Sequence, residues 1–474
     1  MAVSAPATGR VIHLVPPNGG GVDRFVRDLV AHRPADWIVH VCEAQAVVEV
    51  PARQRFVPLD VGAFAHLAWA DRLGRPAAVH VHSTTAVVRH VAETLRGATG
   101  SPLVLTLHDI GFDDAAAGPA EQEARRRFAR SAAVSTAPSR YIVERAEAAL
   151  GADVPCRWVE NGADPFPAPQ PLATDPPPGA PFEVAVIGAL GEHKGLLALL
   201  DTAAHLPAHV RVVILGYTAQ QLMPGWALPG RVWMHGAFQP HELPALVRHY
   251  GARLAFFPPG MPESYCYALS DAWLAGLPAL VPDHGALGER VRRHGGGAVY
   301  PLALAADALA RYVVEHAATA EPVAAQRAAA ELSPVRTMVG HMNAIYDEAA
   351  GGAVQRPADD ALLAALAQKH LDTRFFRKEL LRLQGELEAA AHEREHLYAL
   401  LPHEQQAAQR LQALEGELAA ARAQREQDVA ALTHERDDAR AAYTALAARV
   451  RRPLRVLPAP LRERVVRLAK RLLP

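Results

Sequence analysis

The chain of 474 residues carries 49 Lys and Arg against 50 Asp and Glu, a formal net charge of −1, and half of it is hydrophobic. That length predicts about three units, each able to bury a core; the even charge argues against a nucleic-acid protein, and no apolar run approaches the ~20 residues that a spanning helix requires. Met1 to Arg10 lacks the basic start and apolar centre of a secretion signal, so the cytoplasm is the expected compartment, and the scattered Cys42, Cys156 and Cys266 lack the spacing of a zinc site or disulfide framework.

In chain order, residues 11–15, 37–41, 78–81, 103–107 and 133–137 are short apolar runs separated by helical patterns, as in a parallel sheet with helices on both faces. Residues 164–180 are crowded with proline and read as a linker. A second alternating series follows at 184–187, 210–215, 232–235, 254–257 and 279–281. The expected fold class is therefore α/β: two doubly wound Rossmann-like domains, 1–163 and 181–350, the second with a returning helix. Their ligand cleft would lie between the carboxyl ends of the strands.

After about Asp359 the composition shifts to Ala, Leu, Glu, Arg and Gln, and Leu380, Leu383, Leu387 and Ala390 step by three and four, as do Leu411, Leu414, Leu418 and Ala421. Residues 360–450 are thus expected as a long helix or coiled coil, broken near Pro402 and suited to self- or hetero-association. Arg425 and Arg436 fall in the seam, which keeps a single solvated helix as the alternative. From Arg449 to the last residue, eight arginines and one lysine stand against one glutamate, and Leu461, Val465, Leu468 and Leu472 share a helical face. Residues 451–474 form a basic amphipathic tail that fits the anionic inner face of a membrane or packs on a protein surface.

Four motifs carry chemistry. Gly19, Gly20 and Gly21 separate the first strand from an amphipathic helix beginning near Asp23, so backbone can approach a ligand at a helix start; the pattern is neither a dinucleotide fingerprint nor a P-loop, and by itself is also a tight turn. His108-Asp109 and His82-Ser83 stand at strand carboxyl ends, where a histidine can bind a sugar hydroxyl or simply be a satisfied structural residue. Lys194, beside Gly195 and after Gly188, can reach a diphosphate leaving group, and otherwise is a surface lysine. Glu263 and Asp271 lie eight positions apart across a strand-to-helix junction, with residues 264–268 expected on the first helical turn. Backbone N–H groups there suit a phosphate, with Glu263 beside it and Asp271 two turns on, within reach of a ribose. In the plainer reading they are a dipole partner and a solvated charge.

Together these residues resemble the retaining GT-B fold glycosyltransferases related to glycogen and sucrose synthases, the glycosyl transferases group 1, over about residues 10–345. The family's E-x7-E element corresponds to Glu263 and Asp271, its K-G element to Lys194-Gly195, its glycine loop to Gly19, Gly20 and Gly21, and its His-Asp element to His108-Asp109. Ser139-Arg140 and Asn161-Gly162 also look like family segments. The resemblance implies a nucleotide diphosphate sugar held by the second domain and a glycan or lipid-linked acceptor held by the first. Lys194 would clamp the diphosphate, Glu263 contact the sugar, Asp271 the ribose and His108 the transferred sugar. Gly188, Gly195 and the backbone of Tyr265, Cys266, Tyr267 and Ala268 would complete the donor site. No metal or other cofactor is implied, because the D-x-D element of the other large transferase fold is missing, and retention would follow front-side attack.

Ala189 stands where many relatives have an arginine, and Asp271 replaces the commoner glutamate. Arg290 and His193 are the candidate substitutes for the missing charge. A transferase in cell-surface polysaccharide synthesis is the expectation. The alternatives are a non-catalytic coiled-coil scaffold with a degenerate transferase domain and a nucleotide-sugar epimerase.

Overall fold

A computed structural model describes residues 9–351 except 17–19, 43–44, 54, 61–75, 110–116, 152–153, 168–180, 219–220 and 222, and beyond them only 420, 423, 424 and 427. The helical extension 360–450, the basic tail 451–474, Gly19 and most of the proline-rich linker lie outside the described residues.

Residues that are apolar on both sides of a strand must be covered on both faces, and these strands are. The first sheet takes β1 (Val11–Val15), β2 (Trp37–Cys42), β3 (Gln45–Val50), β4 (Arg55–Asp60), β5 (Ala78–Val81), β6 (Leu103–Thr106), β7 (Val134–Ala137) and β8 (Cys156–Trp158). Its order is β4-β3-β2-β1-β5-β6-β7-β8, parallel except for the antiparallel edge made by β3 and β4. The second sheet takes β9 (Val184–Ile187), β10 (Val212–Leu215), β11 (Gly225–Leu228), β12 (Val232–Met234), β13 (Leu254–Phe256), β14 (Ala279–Pro282) and β15 (Gly297–Tyr300). It runs β11-β12-β10-β9-β13-β14-β15, parallel except for β11. Two doubly wound Rossmann-like domains result, and all ten expected strands form. The edges differ: β3, β4, β8, β11 and β15 were not expected. Three of the five, β3, β4 and β11, pair antiparallel, and β15 begins inside the Gly295 to Gly297 cluster, which reads as a loop.

In both sheets the order reverses beside the first strand, between β1 and β5 and between β9 and β13. At such a switch point the flanking loops diverge and leave a crevice at the carboxyl ends of the strands. Here the diverging loops carry Gly20 and Gly21 after β1, His82 after β5, Lys194 after β9 and Glu263 after β13. The helices α1 (Gly20–His32), α2 (Ala86–Thr99), α3 (Pro119–Arg130) and α4 (Arg140–Leu150) belong to the first half. In the second half, α5 (Leu196–Ala204), α6 (Leu243–Tyr250), α7 (Tyr267–Leu274), α8 (Gly285–His294), α9 (Ala306–Thr319) and α10 (Pro322–Ala330) follow. Among the described residues no helix is long and apolar enough to cross a membrane.

The last helix, α11 (Val335–Ala350), returns to the first domain. Val335, Met338, Val339, Met342, Ile345 and Tyr346 pack with Val11, Val15, Phe25 and Leu29 in one buried cluster. Polar bonds fix its register: Arg33 Nη1 donates to Asn343 Oδ1 at 2.6 Å, and Arg157 makes two bonds of 2.6 Å to Glu348. Where the chain re-enters, Val335 N donates to Asp164 Oδ1 at 3.0 Å and Ala163 N to Ser333 O at 2.9 Å. Gly162 makes this approach possible, because a Cβ there would overlap Val335 Cα and press on Val335 N.

Gly162→Ala is therefore expected to destabilise the protein by about 2 kcal/mol or more, the range for overpacking a filled interior. Denaturant unfolding measures this; a variant within ~0.5 kcal/mol of the parent, the usual range of a neutral surface change, would show that the approach of α11 is not tight.

Candidate functional site

Between the two sets of carboxyl ends lies a cleft of about 320 Å³. Gly21, His108 and Asn161 reach it from the first domain, and Gly188, Lys194, Glu263, His284 and the segment Tyr265 to Ala268 from the second. Among the described residues that line it, Glu263 is the sole carboxylate and Lys194 the sole Lys or Arg.

Lys194 and Glu263 are brought together by backbone packed on backbone. Gly195, at φ 85°, ends the short turn Glu192–Lys194, and a Cβ on it would overlap the Pro259 carbonyl. Gly260 lies equally close to the same turn: its Cβ would stand 2.7 Å from Lys194 C, and Met261 N donates to His193 O at 2.7 Å. With the two loops so joined, Lys194 Nζ lies 3.2 Å from Glu263 Oε1. Burial pulls the ammonium pKa down, but the Glu263 carboxylate outweighs it and the net shift is upward, so Lys194 stays charged. The lysine side chain is 44% exposed, so this pair contributes little to stability; its consequence is a cation held at the cleft.

The expectation that 264–268 form the first helical turn needs correction, because α7 begins at Tyr267 and Ser264 to Cys266 form the turn before it. Cys266 is the single non-glycine residue with positive φ among the described residues, at φ 67°. Arg290, on α8, explains how that conformation persists: Nη1 donates to the carbonyls of Tyr265 and Cys266 at 3.0 Å each, and Nη2 to Ser270 Oγ at 2.7 Å. Because Arg290 is 1% exposed and does not line the cleft, both carbonyls are drawn inward, while Tyr267 and Ala268, which open α7, line the cleft. Arg290 is consequently a structural cation and no substitute for the arginine missing at Ala189. His193 is exposed and outside the lining, so it is not placed to substitute either.

Asp271 also departs from expectation. It is 8% exposed, does not line the cleft, and its Oδ2 accepts a 2.7 Å bond from Arg24 Nη1, contributed by α1 of the first domain. The Arg24 guanidinium lies 4.4 Å from the Tyr267 ring centroid, so ring and carboxylate hold it together. Asp271 Oδ1 has no partner. The ion pair thus ties α1 to α7, and a ribose contact by Asp271 is not what this arrangement displays. Nearby Asp28 is pushed up to about 6, by burial first, with Arg24 opposing and Asp164 and Asp271 reinforcing the rise.

The glycine turn contributes through Gly20, which opens α1 at φ 74°, and Gly21, which faces Tyr267 across the cleft with ring atoms 3.5 Å from where a Cβ would be. Gly188 lines the cleft at φ 102°. Tyr265 joins the halves by donating its hydroxyl to Asn161 O at 2.7 Å. His108 lines the cleft at the end of a line of buried rings. Its Nε2 is 3.0 Å from His82 Nδ1, His82 Nε2 is 3.2 Å from His13 Nδ1, and His13 Nε2 is 3.4 Å from Asp36 Oδ2. Burial pushes His108 down to about 3 and His82 well below its ordinary value. Sequence reasoning missed Arg24, His284 and the His13–His82 link. A histidine within the apolar run of β1 and another directly after β5 were the available signal for the last of these.

Two doubly wound sheets meeting at their switch points, with a cation and a helix start on one wall and a glycine turn and a histidine on the other, define a GT-B fold glycosyltransferase. The chain belongs to that class: residues 174–327 match the family Glycosyl transferases group 1 and residues 19–165 match Glycosyltransferase Family 4. Its activity is accordingly the transfer of a glycosyl group. No curated protein matches the chain in sequence. Among solved structures, the fold is similar to Anabaena HepE in complex with UDP and glucose, at 16% identity and TM-score 0.56 over 72% of this chain and 100% of that one. It is also similar to sucrose-phosphate synthase from Thermosynechococcus elongatus, at 14% identity and TM-score 0.55 over 73% and 100%. The catalytic domain of starch synthase IV from Arabidopsis thaliana, bound to ADP and acarbose, aligns at 12% identity and TM-score 0.50 over 73% and 100%.

Asp28 yields a pH test. Its folded pKa lies above the ordinary 3.8, so the native state retains the proton to higher pH than the unfolded chain does. Ionisation between about pH 4 and 6 therefore removes stability as pH rises. Asp28→Asn should melt higher than the parent at pH 7.5, with the advantage shrinking toward pH 4; a difference in melting temperature that does not vary with pH would refute the assignment.

Proposed function

We propose that the protein is a metal-independent, retaining hexosyltransferase that uses a nucleotide diphosphate sugar. The observation that carries this reading is the Lys194–Glu263 pair at 3.2 Å, set beside the start of α7 in a cleft that His108 and Gly21 close from the other domain. A diphosphate entering this cleft meets one fixed ammonium and the amides of the α7 start, while Glu263, released from Lys194, is available to sugar hydroxyls. The backbone of Tyr265, Cys266, Tyr267 and Ala268, with Gly188 and Gly195, forms the rest of the donor side. The phosphate charge is met by Lys194 and the helix start.

As the glycosyl–phosphate bond breaks, Lys194 stabilises the negative charge that develops on the leaving diphosphate, and the departing phosphate takes the acceptor's proton during front-side attack. His108 and the glycine turn of Gly20 and Gly21 form the acceptor side. The complexes of Anabaena HepE with UDP and UDP-glucose make uridine diphosphate sugars the first donors to test. A glycan or lipid-linked acceptor in cell-surface polysaccharide synthesis accords with the likeness to the lipopolysaccharide outer core galactosyltransferase WaaB, at 12% identity and TM-score 0.50. The basic tail 451–474 would hold the protein at the inner face of the membrane, and 360–450 would support coiled-coil association.

The test is nucleotide release and sugar transfer with a panel of UDP-, ADP- and GDP-sugars, with and without a chelator. Transfer with retained anomeric configuration, insensitive to chelation, is expected. Lys194→Met should lower kcat by about 10² to 10³-fold, the effect of losing one charge-stabilising group, and Glu263→Gln should weaken donor use. The panel separates the alternatives: epimerised donor without transfer would indicate an epimerase, and failure to bind any nucleotide sugar a non-catalytic scaffold.

A further inference from the structure

The row of rings behind His108 has a direction that follows from its far end. Asp36 is buried at 0% exposure, and donors surround both of its oxygens: Arg33 Nε donates to Oδ2 at 2.6 Å, Arg33 Nη2 to Oδ1 at 3.3 Å, and Val11 N to Oδ1 at 2.9 Å. A carboxylate can only accept. Facing it, His13 carries a proton on Nε2, and a ring with that single proton accepts at Nδ1. His82 therefore donates from Nε2 and accepts at Nδ1, and His108 must donate from Nε2. Each ring has one proton, and each contact uses one.

His80 does not disturb this order. It packs against both rings, with centroids 5.3 Å from His13 and 4.0 Å from His82, but its nitrogens are engaged elsewhere: Nδ1 with Tyr346 OH and Nε2 with Thr106 Oγ1, both at 2.7 Å. The imidazole nitrogens of His13, His80 and His82 lie within 4.8 Å of one another, a spacing compatible with a metal ion. All three rings are buried, and every one of those nitrogens already has a partner. A metal would have to break the bonds to Asp36, Tyr346, Thr106 or His108 to enter.

We propose that Asp36, His13 and His82 are positioning residues that fix His108 as the Nε2–H tautomer, so that its Nδ1 is a hydrogen-bond acceptor for a substrate hydroxyl. The proposal rests on the reading of His108 as part of the substrate cleft and adds what that ring can recognise. A neutral ring offering a lone pair accepts a sugar hydroxyl and does not attract a diphosphate, which leaves the phosphate to Lys194 across the cleft. Among the described residues, the charged and titratable groups that face the row are Asp36, Arg33, His80 and Tyr346. Burial holds His108 down near 3, and burial followed by the neighbouring histidines and Arg33 holds His80 well below its ordinary value. The row is therefore a device for keeping orientation and neutrality rather than a store for the acceptor's proton.

The tautomer is measured directly by two-bond nitrogen–proton NMR correlation on the full chain labelled with ¹⁵N-histidine, with the His108 signals identified by their loss in His108→Gln. From pH 5.5 to 8.5, His108 should show a protonated Nε2, a bare Nδ1 and no titration. An Nδ1–H ring, a mixture of tautomers, or titration near 6.5 in the parent protein overturns the proposal, and this result does not depend on any variant folding or on any transferase assay. In Asp36→Asn and His82→Phe the His108 signals should become a mixture, whereas His82→Gln, which can still accept and donate, should retain more of the Nε2–H form. With a donor found active, kcat/KM should fall about tenfold or more in the two disruptive variants and be partly rescued in His82→Gln. A scrambled tautomer with unchanged kcat/KM would remove the row from recognition while leaving the transferase reading intact.

Discussion

A buried guanidinium organises the donor wall. Arg290 bonds two successive carbonyls and two hydroxyls, those of Ser270 and Tyr265, and lies 3.9 Å from the Tyr265 ring centroid and 5.3 Å from that of Trp273. No carboxylate bonds it, so its charge is compensated by dipoles, rings and the field of Glu160, whose own pKa is held down by His294, Arg293 and Arg290 against burial. Such a cation is expensive to desolvate unless its hydrogen bonds are well made. That requirement keeps Cys266 in its left-handed conformation, starts α7 at Tyr267, and turns the Tyr265 and Cys266 carbonyls from the ligand. A charge that the sequence offered as a substitute for the missing arginine thus shapes this wall of the cleft from behind.

The same segment joins the two domains. Tyr265 bonds the Asn161 carbonyl, Asp271 pairs with Arg24, Arg293 pairs with Glu160, and Glu289 accepts the Arg140 and Tyr141 N–H groups at 3.2 and 2.8 Å. Every one of these contacts links α7, α8 or the turn before them to the first half of the chain. Cleft geometry and domain contact are consequently parts of one polar system, in which Glu263 and Asp271 have separate duties. Glu263 faces the ligand space, and Asp271 braces the wall.

Much of this was legible in the sequence because parallel strands covered on both faces are short, continuous apolar runs. Residues 11–15, 78–81 and 184–187 match observed strands end to end. Strand carboxyl ends then indicated Lys194, Glu263, His108 and Gly21, all of which line one cleft. The antiparallel edges carry a weaker signal, since pairing on one side leaves short or mixed runs. Asp271 was misread because its partner, Arg24, is 247 positions away and on the other domain, where helical spacing carries no information. Arg290 was a candidate for the missing charge that the sequence had no means of placing, and the fold turns it into carbonyls and rings.

The return of α11 to the first domain bears on how the chain is made. Val11, Val15, Phe25 and Leu29 belong to the first strand and helix, yet the face they share is covered by residues 335–346, which leave the ribosome only after the whole second domain. Domains usually fold as units in the order of synthesis. In that order of synthesis, one apolar side of the first domain has no cover until residues 335–346 have followed the second domain.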